Sequence, residues 1–152
     1  MTIQYFKFEE DFIEENVRCI PMIVRFKLDT CGIKLKLAEW SKMTVTERLN
    51  LAEYSCHTSE EIRAYRKYVR QIIRTRANQN PTALHIDKNP LWELVTEVPL
   101  LLQEKAMEYN LSISLAQWKN LSMLQRFALL KLSSISHENK NFPKALKEFN
   151  PA

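Results

Sequence analysis

The three cysteines and three histidines are the first candidates for metal or nucleophilic chemistry: Cys19, Cys31 and Cys56, with His57, His85 and His137. The cysteines lack the close pair that anchors structural zinc or an iron–sulfur cluster. The histidines are scattered, and neither HExxH nor an H-x-E motif followed by C-x-x-C occurs. An odd number of widely spaced cysteines suits free thiols in a reducing compartment better than a disulfide framework. Cysteine is also among the most buried residue types, so packing is the plain reading of all three. A small metal- or redox-carrying protein using Cys19, Cys31 and Cys56, with His137 as a further ligand, stands as an alternative. No nucleophile has its base at hand, so the sequence predicts neither a catalytic residue nor a cofactor. The single glycine, Gly32, excludes phosphate-cradling loops and dinucleotide folds, which need several glycines at close spacing.

The chemistry on offer is instead charge. In "SEEIRAYRKYVRQIIRTRA", residues 59–77, the positions Arg63, Arg66, Lys67, Arg70 and Arg74 fall within an arc of about 100° on a helix. Ile62, Tyr65, Val69, Ile72 and Ile73 face the other way. One face is core and the other is a basic stripe. Such a stripe serves as a solvated surface, balanced in part by Glu60, Glu61 and the acidic N-terminal arm, or as a docking face for an acidic protein. The excess is one-sided. Residues 1–15 hold one basic and five acidic side chains, residues 16–80 hold 13 and 6, and the rest hold 8 and 7. Arg25, Lys34 and Lys36 belong to the same basic region. A second polar cluster, His137, Glu138, Asn139, Lys140, Asn141 and Phe142, reads either as a recognition loop or as the entry to a last helix.

The elements that must position these groups read as helices punctuated by six prolines. "LAEWSKMTVTERLNLA" at 37–52 returns as "LAQWKNLSMLQRFALL" at 115–130. Extended backwards, the match pairs Pro21 with Pro99 and Gly32 with Asn110, the two residue types that most readily close a helix in the left-handed conformation. Thr44 to Glu47 and Ser122 to Gln125 are capping boxes that start helices near 45 and 123. Trp40 and Trp118 precede them on short helices, and Arg48 and Arg126 repeat beside them. The expected architecture is therefore all-α: a single compact domain over 1–152, built from two similar units, about 19–54 and 97–132, related by a pseudo-twofold axis. The basic amphipathic helix 59–77 links the units, and a short closing helix spans 143–149. Residues 2–8 and 33–37 alternate as strands do, which allows one short pairing near the N-terminus. Nucleic-acid binding is a further alternative, but "MLQRFALLKL" shows mostly apolar side chains where a recognition helix needs polar ones.

With 45% hydrophobic and 26% charged residues and no uncharged apolar run near the roughly 18 a membrane span needs, the chain reads as globular. Its acidic start argues against a secretory signal, and a cytoplasmic protein without membrane attachment is expected.

Two blocks carry a resemblance. "RCIPMIVRFKLDTCGIKLKLAEW" at 18–40 and "LQRFALLKLSSISHENKNFP" at 124–143 resemble the nitrate-reductase-associated proteins found mainly in cyanobacteria. The resemblance implies a non-enzymatic accessory protein for the ferredoxin-dependent assimilatory nitrate reductase. Its partners would be the reductase catalytic subunit and ferredoxin. It carries over Cys19, Pro21, Arg25, Lys27, Asp29, Gly32, Lys34, Trp40, Arg126, His137, Glu138, Asn139, Lys140, Asn141 and Phe142, without assigning them roles.

Overall fold

A computed structural model describes residues 4–134 and 140–150, and these are mostly helical with one short antiparallel strand pair. The chain divides into two compact units, residues 1–86 and 87–152, each holding one copy of the repeated segment.

In the first unit α1 spans Glu10–Glu14, α2 Met22–Cys31, α3 Leu37–Ser41, α4 Val45–Glu53 and α5 Ser59–Ile72, which continues as a π turn over Ile73–Ala77. Proline at the head of α2 has no side chain able to accept from the first helical N–H groups. A carboxylate from the N-terminal arm does so instead: buried Glu9 accepts from Met22 N at 2.8 Å and from Phe6 N at 3.0 Å. The helix stops at Gly32, whose φ of 80° is left-handed and whose N–H returns to Leu28 O at 2.9 Å. α4 and α5 open on capping boxes, Thr44 with Glu47 and Thr58 with Glu61. The core of the unit gathers Val24, Trp40, Leu51, Tyr65, Val69 and Ile72, all buried.

The strand pair joins β1, Ile33–Lys34, to β2, Thr82–Ala83, with Ile33 opposite Ala83. The alternation at 33–37 thus marks a real strand, cut to two residues, but its partner comes from the segment between α5 and Pro90. Of the N-terminal stretch expected to alternate, residues 2 and 3 lie outside the described residues, and residues 7–9 form a 3-10 turn. The physical reason is Glu9: its inward turn onto the head of α2 takes that backbone out of an extended path.

In the second unit α6 spans Leu100–Glu108, α7 Leu115–Asn120, α8 Met123–Ser133 and α9 Asn141–Phe149, with a 3-10 turn at Leu91–Glu93. α6 follows Pro99, and the chain turns at Asn110, φ 57°. α7 and α8 open on Ser114 with Gln117 and Ser122 with Gln125. α8 is the central helix, with Leu124, Phe127, Leu129 and Leu132 buried. α9 starts two residues ahead of Pro143, which lies in its first turn, where proline removes no helical hydrogen bond.

The same joint recurs in both units. Trp40 Nε1 donates to Val17 O at 2.8 Å, and Trp118 Nε1 donates to Leu94 O at 2.7 Å. Arg48 lies 5.7 Å from the Trp40 ring and Arg126 lies 5.9 Å from the Trp118 ring. Arg48 donates to Asn16 O at 2.8 Å, Ser41 O at 3.1 Å and Trp40 O at 3.2 Å. Arg126 donates to Trp92 O at 2.6 Å and to Leu121 O.

Gly32 and Asn110 look interchangeable in sequence and are not. A Cβ on Gly32 would stand 3.0 Å from Ile86 Cδ1 and 3.1 Å from Leu84 O, because the β2 segment lies against it. Gly32→Ala should therefore lower stability by at least about 1–2 kcal/mol, whereas Asn110→Gly should change it by no more than about 0.5 kcal/mol. Urea denaturation midpoints of the two variants check this. Trp40→Phe leaves the Val17 carbonyl without its donor and should cost about 1–3 kcal/mol in the same assay.

Candidate functional site

α5 fulfils the expected division into two faces. Tyr65, Val69, Ile72 and Ile73 are buried, while Arg63, Arg66, Lys67 and Arg74 are exposed and Arg70 is half-buried. These five cations, with Gln71 and Thr75, line an open groove of about 600 Å³. Among the described residues none of the five side chains forms an ion pair or a hydrogen bond, so the row faces solvent with its charge uncompensated at contact distance.

Just beyond the row the picture changes. Arg76 pairs with Glu47 at 3.1 Å and is thereby committed to holding the π turn to α4. At the other end Glu61 is fixed in its cap, accepting from Thr58 N at 3.0 Å and His57 N at 3.1 Å. Those backbone N–H groups hold its carboxyl below the usual range. The acidic arm does not neutralise the row as a block. Its Glu9 is buried as the cap of α2, and Glu15 pairs with Arg18.

The other basic candidates lie outside the groove. Arg25 is exposed on α2 and donates to Ile20 O at 3.2 Å, Lys34 is exposed on β1, and Lys36 is exposed just before α3. Lys27, one of the residues carried by the resemblance, does not belong to the surface. Its ammonium is buried and donates to Ala52 O at 2.7 Å and Tyr54 O at 2.5 Å, so it ties the free carbonyls at the end of α4 to α2. Burial lowers its pKa below the ordinary lysine value.

Of the polar cluster near the C-terminus, His137, Glu138 and Asn139 lie outside the described residues. Lys140 is exposed, Asn141 opens α9, and Phe142 is fully buried with its ring 6.0 Å from that of Tyr109. Phe142 therefore anchors α9 in the second unit and is unavailable for recognition.

Sequence reasoning missed the residues beside the row. Tyr54 and Tyr68 stand with ring centroids 5.3 Å apart, and Asn50 Nδ2 donates to the Tyr68 hydroxyl at 3.0 Å. Tyr68 belongs to the apolar side of α5, but Tyr54 sits past the end of α4, and no spacing rule connects the two positions.

Cys31 and Cys56 are buried in the first unit's core, and Cys19 is half-buried with Arg18 Nη1 at 3.4 Å from its sulfur. Among the described residues no group of three His, Cys, Asp or Glu side chains is placed to hold a metal ion. No described helix is long and apolar enough to cross a membrane.

A family model described as conserved nitrate reductase-associated protein matches residues 5–149. No curated protein and no solved structure matches the chain.

Burial pushes the Cys31 thiol up to about 11 and the Cys56 thiol up to about 12, the latter with a further contribution from Cys31, against an ordinary 9.0. The folded chain holds both protons to higher pH than the unfolded chain does. Their contribution to stability is thus complete below pH 9 and is lost as pH rises through the window from 9.0 to about 12. Replacing both by alanine should flatten the alkaline limb of a stability–pH profile measured by urea denaturation. In the folded wild-type chain, alkylation at neutral pH followed by mass spectrometry should spare Cys31 and Cys56.

Proposed function

Because this chain belongs to the conserved nitrate reductase-associated protein family, we propose that it is a non-catalytic accessory protein that binds the ferredoxin-dependent assimilatory nitrate reductase and supports its activity or maturation. The observation that carries the reading beyond the family is the uncompensated row Arg63, Arg66, Lys67, Arg70 and Arg74 on a helix otherwise anchored in the core. A fixed row of positive charge accelerates and orients encounter with an acidic protein surface. The surface met is that of the reductase catalytic subunit or of its acidic electron donor, ferredoxin, within the cytoplasm. Arg25, Lys34 and Lys36 extend the positive field around the row.

Two observations favour this over the other classes. Cys31 and Cys56 are buried with raised pKa values, the opposite of the exposed, easily ionised thiols that redox carriers use. α8, the helix that would have to read a DNA groove, has its apolar side chains and Arg126 packed into the second unit.

Replacing Arg66, Lys67, Arg70 and Arg74 together by glutamine should weaken co-purification with the reductase by about tenfold or more at low salt. It should also flatten the salt dependence of ferredoxin-driven nitrate reduction. Unchanged binding at low salt would overturn the assignment of this face.

A further inference from the structure

Next to the basic row, α5 and the end of α4 border a second open depression of about 460 Å³, lined by Tyr54, Tyr68, Glu53 and Glu61 among others. Its chemistry is the reverse of its neighbour's. Tyr54 is 45% exposed, so its ring is offered to a ligand. The Tyr68 ring leans on it at 51° and is held from behind by Asn50. Glu53 is exposed, and both backbone cap bonds of Glu61 fall on Oε1, which leaves Oε2 outside the cap. Of the cations nearby, Lys27 keeps its ammonium on two backbone carbonyls, 6.0 Å from the Tyr65 ring and within the field of Glu53, and His57 adjoins Glu61. The notch therefore sets two carboxylates beside two aromatic rings, the combination that takes a single ammonium or guanidinium head.

The two depressions share a helix. At about 100° per residue, Ala64 lies between Lys67, the near edge of the row, and Tyr68 around α5, and Ala64, exposed and small, lets a crossing chain come close. We infer that this is a two-sign docking surface: the partner segment lying across α5 carries a row of carboxylates for Arg63, Arg66, Lys67, Arg70 and Arg74 and, beside them, one arginine or lysine whose head enters the notch between Glu53 and Glu61. The inference rests on the reading that this face receives a protein, and it adds what that protein must present.

The shape selects a protein over a small anion. A groove walled by one helix leaves most of a small ligand in water, whereas small-molecule sites bury the larger part of theirs. The charge pattern selects a protein over a nucleic acid. The exposed ring that a base would stack on is flanked by Glu53 and Glu61, which repel the phosphates that the row attracts. A protein segment can place opposite charges a few ångströms apart and so satisfy both halves. The pattern also gives the docked segment a direction, because reversing it sets like charges against each other at both ends.

Two synthetic helical peptides test this on the full chain at low salt. One carries four glutamates in helical register, and the other has the same sequence with one arginine following them. By fluorescence anisotropy the second should bind about tenfold tighter than the first, the scale of one cation–π contact with an adjacent carboxylate. Glu53→Gln and Tyr54→Leu, both at exposed positions, should remove that preference. Arg70→Glu should weaken both peptides. Equal affinity for the two peptides, or a preference that survives Glu53→Gln, overturns the proposal, as does a single-stranded oligonucleotide of matched charge that binds tighter than either. The outcome is independent of the reductase, so failure here and failure of the accessory role are separately visible.

Discussion

In each unit the entering chain is held by one tryptophan and one arginine. The buried indole N–H of Trp40 and of Trp118 has no partner except a backbone carbonyl, and leaving it unpaired costs a large part of a unit's stability, while the arginine beside each ring, half-buried at Arg48 and buried at Arg126, gathers further carbonyls of the same turn. In the first unit that requirement fixes Asn16 and Val17, both at positive φ, against Trp40 and Arg48. A β-branched residue rarely takes that conformation, so the contacts must over-determine it. Once the turn is set, Glu9 reaches the head of α2, α2 packs on α5, and the outer face of α5 is left with its row of cations.

The two copies solve the same joint with different amounts of polar reach. Arg48 contacts three carbonyls spread over the turn and α3, while Arg126 reaches the 3-10 turn and the end of α7. Divergence is concentrated where packing does not constrain the residue. Arg25 donates to Ile20 O, and its counterpart Gln103 donates to Ile113 O at 3.0 Å, so that position keeps a hydrogen-bonding role in both units with changed charge. Lys34 and Lys36 stand where the second copy has Ser112 and Ser114, and Ser114 has become the N-cap of α7. At the equivalent place Glu39, buried, alone closes the cap by accepting from Lys36 N at 2.9 Å. A serine there makes the cap reciprocal. A lysine forgoes one cap bond and adds charge to the basic side of the molecule.

What the sequence shows plainly is what local rules decide. Capping boxes at Thr44 and Ser122, left-handed turns at Gly32 and Asn110, and the two faces of α5 all depend on residues within a few positions of each other. The strand partner of Ile33 was not visible, because a two-residue pairing has no periodicity and depends on the close approach of Leu84 and Ile86 to Gly32. Lys27 was hidden for a related reason. A lysine on an amphipathic helix reads as surface, and only the open carbonyls at the end of α4, 25 and 27 residues away, explain its burial. Phe142 was grouped with polar neighbours that it leaves by turning into the core. The candidate site was legible in its basic half, which is one helix, and invisible in its aromatic half, which needs two elements brought together.

That asymmetry bears on how the basic row can act. Flexible arginines on a mobile segment would lose backbone freedom on docking, but α5 is fixed at both ends before any partner arrives. Thr58 and Glu61 cap its start, Arg76 pins its π turn to Glu47, and Tyr65 locks its middle by donating to Leu51 O at 2.7 Å. Binding then orders only side chains, roughly 0.5–1.5 kcal/mol each, and contact energy is not spent on folding the helix. Exposed ion pairs are individually weak. In the docking we propose, a pre-set row of five works through its summed field, raising the rate of encounter and fixing the angle of approach more than deepening the bound state. Such a face suits a partner that must be met quickly, in one orientation, and released.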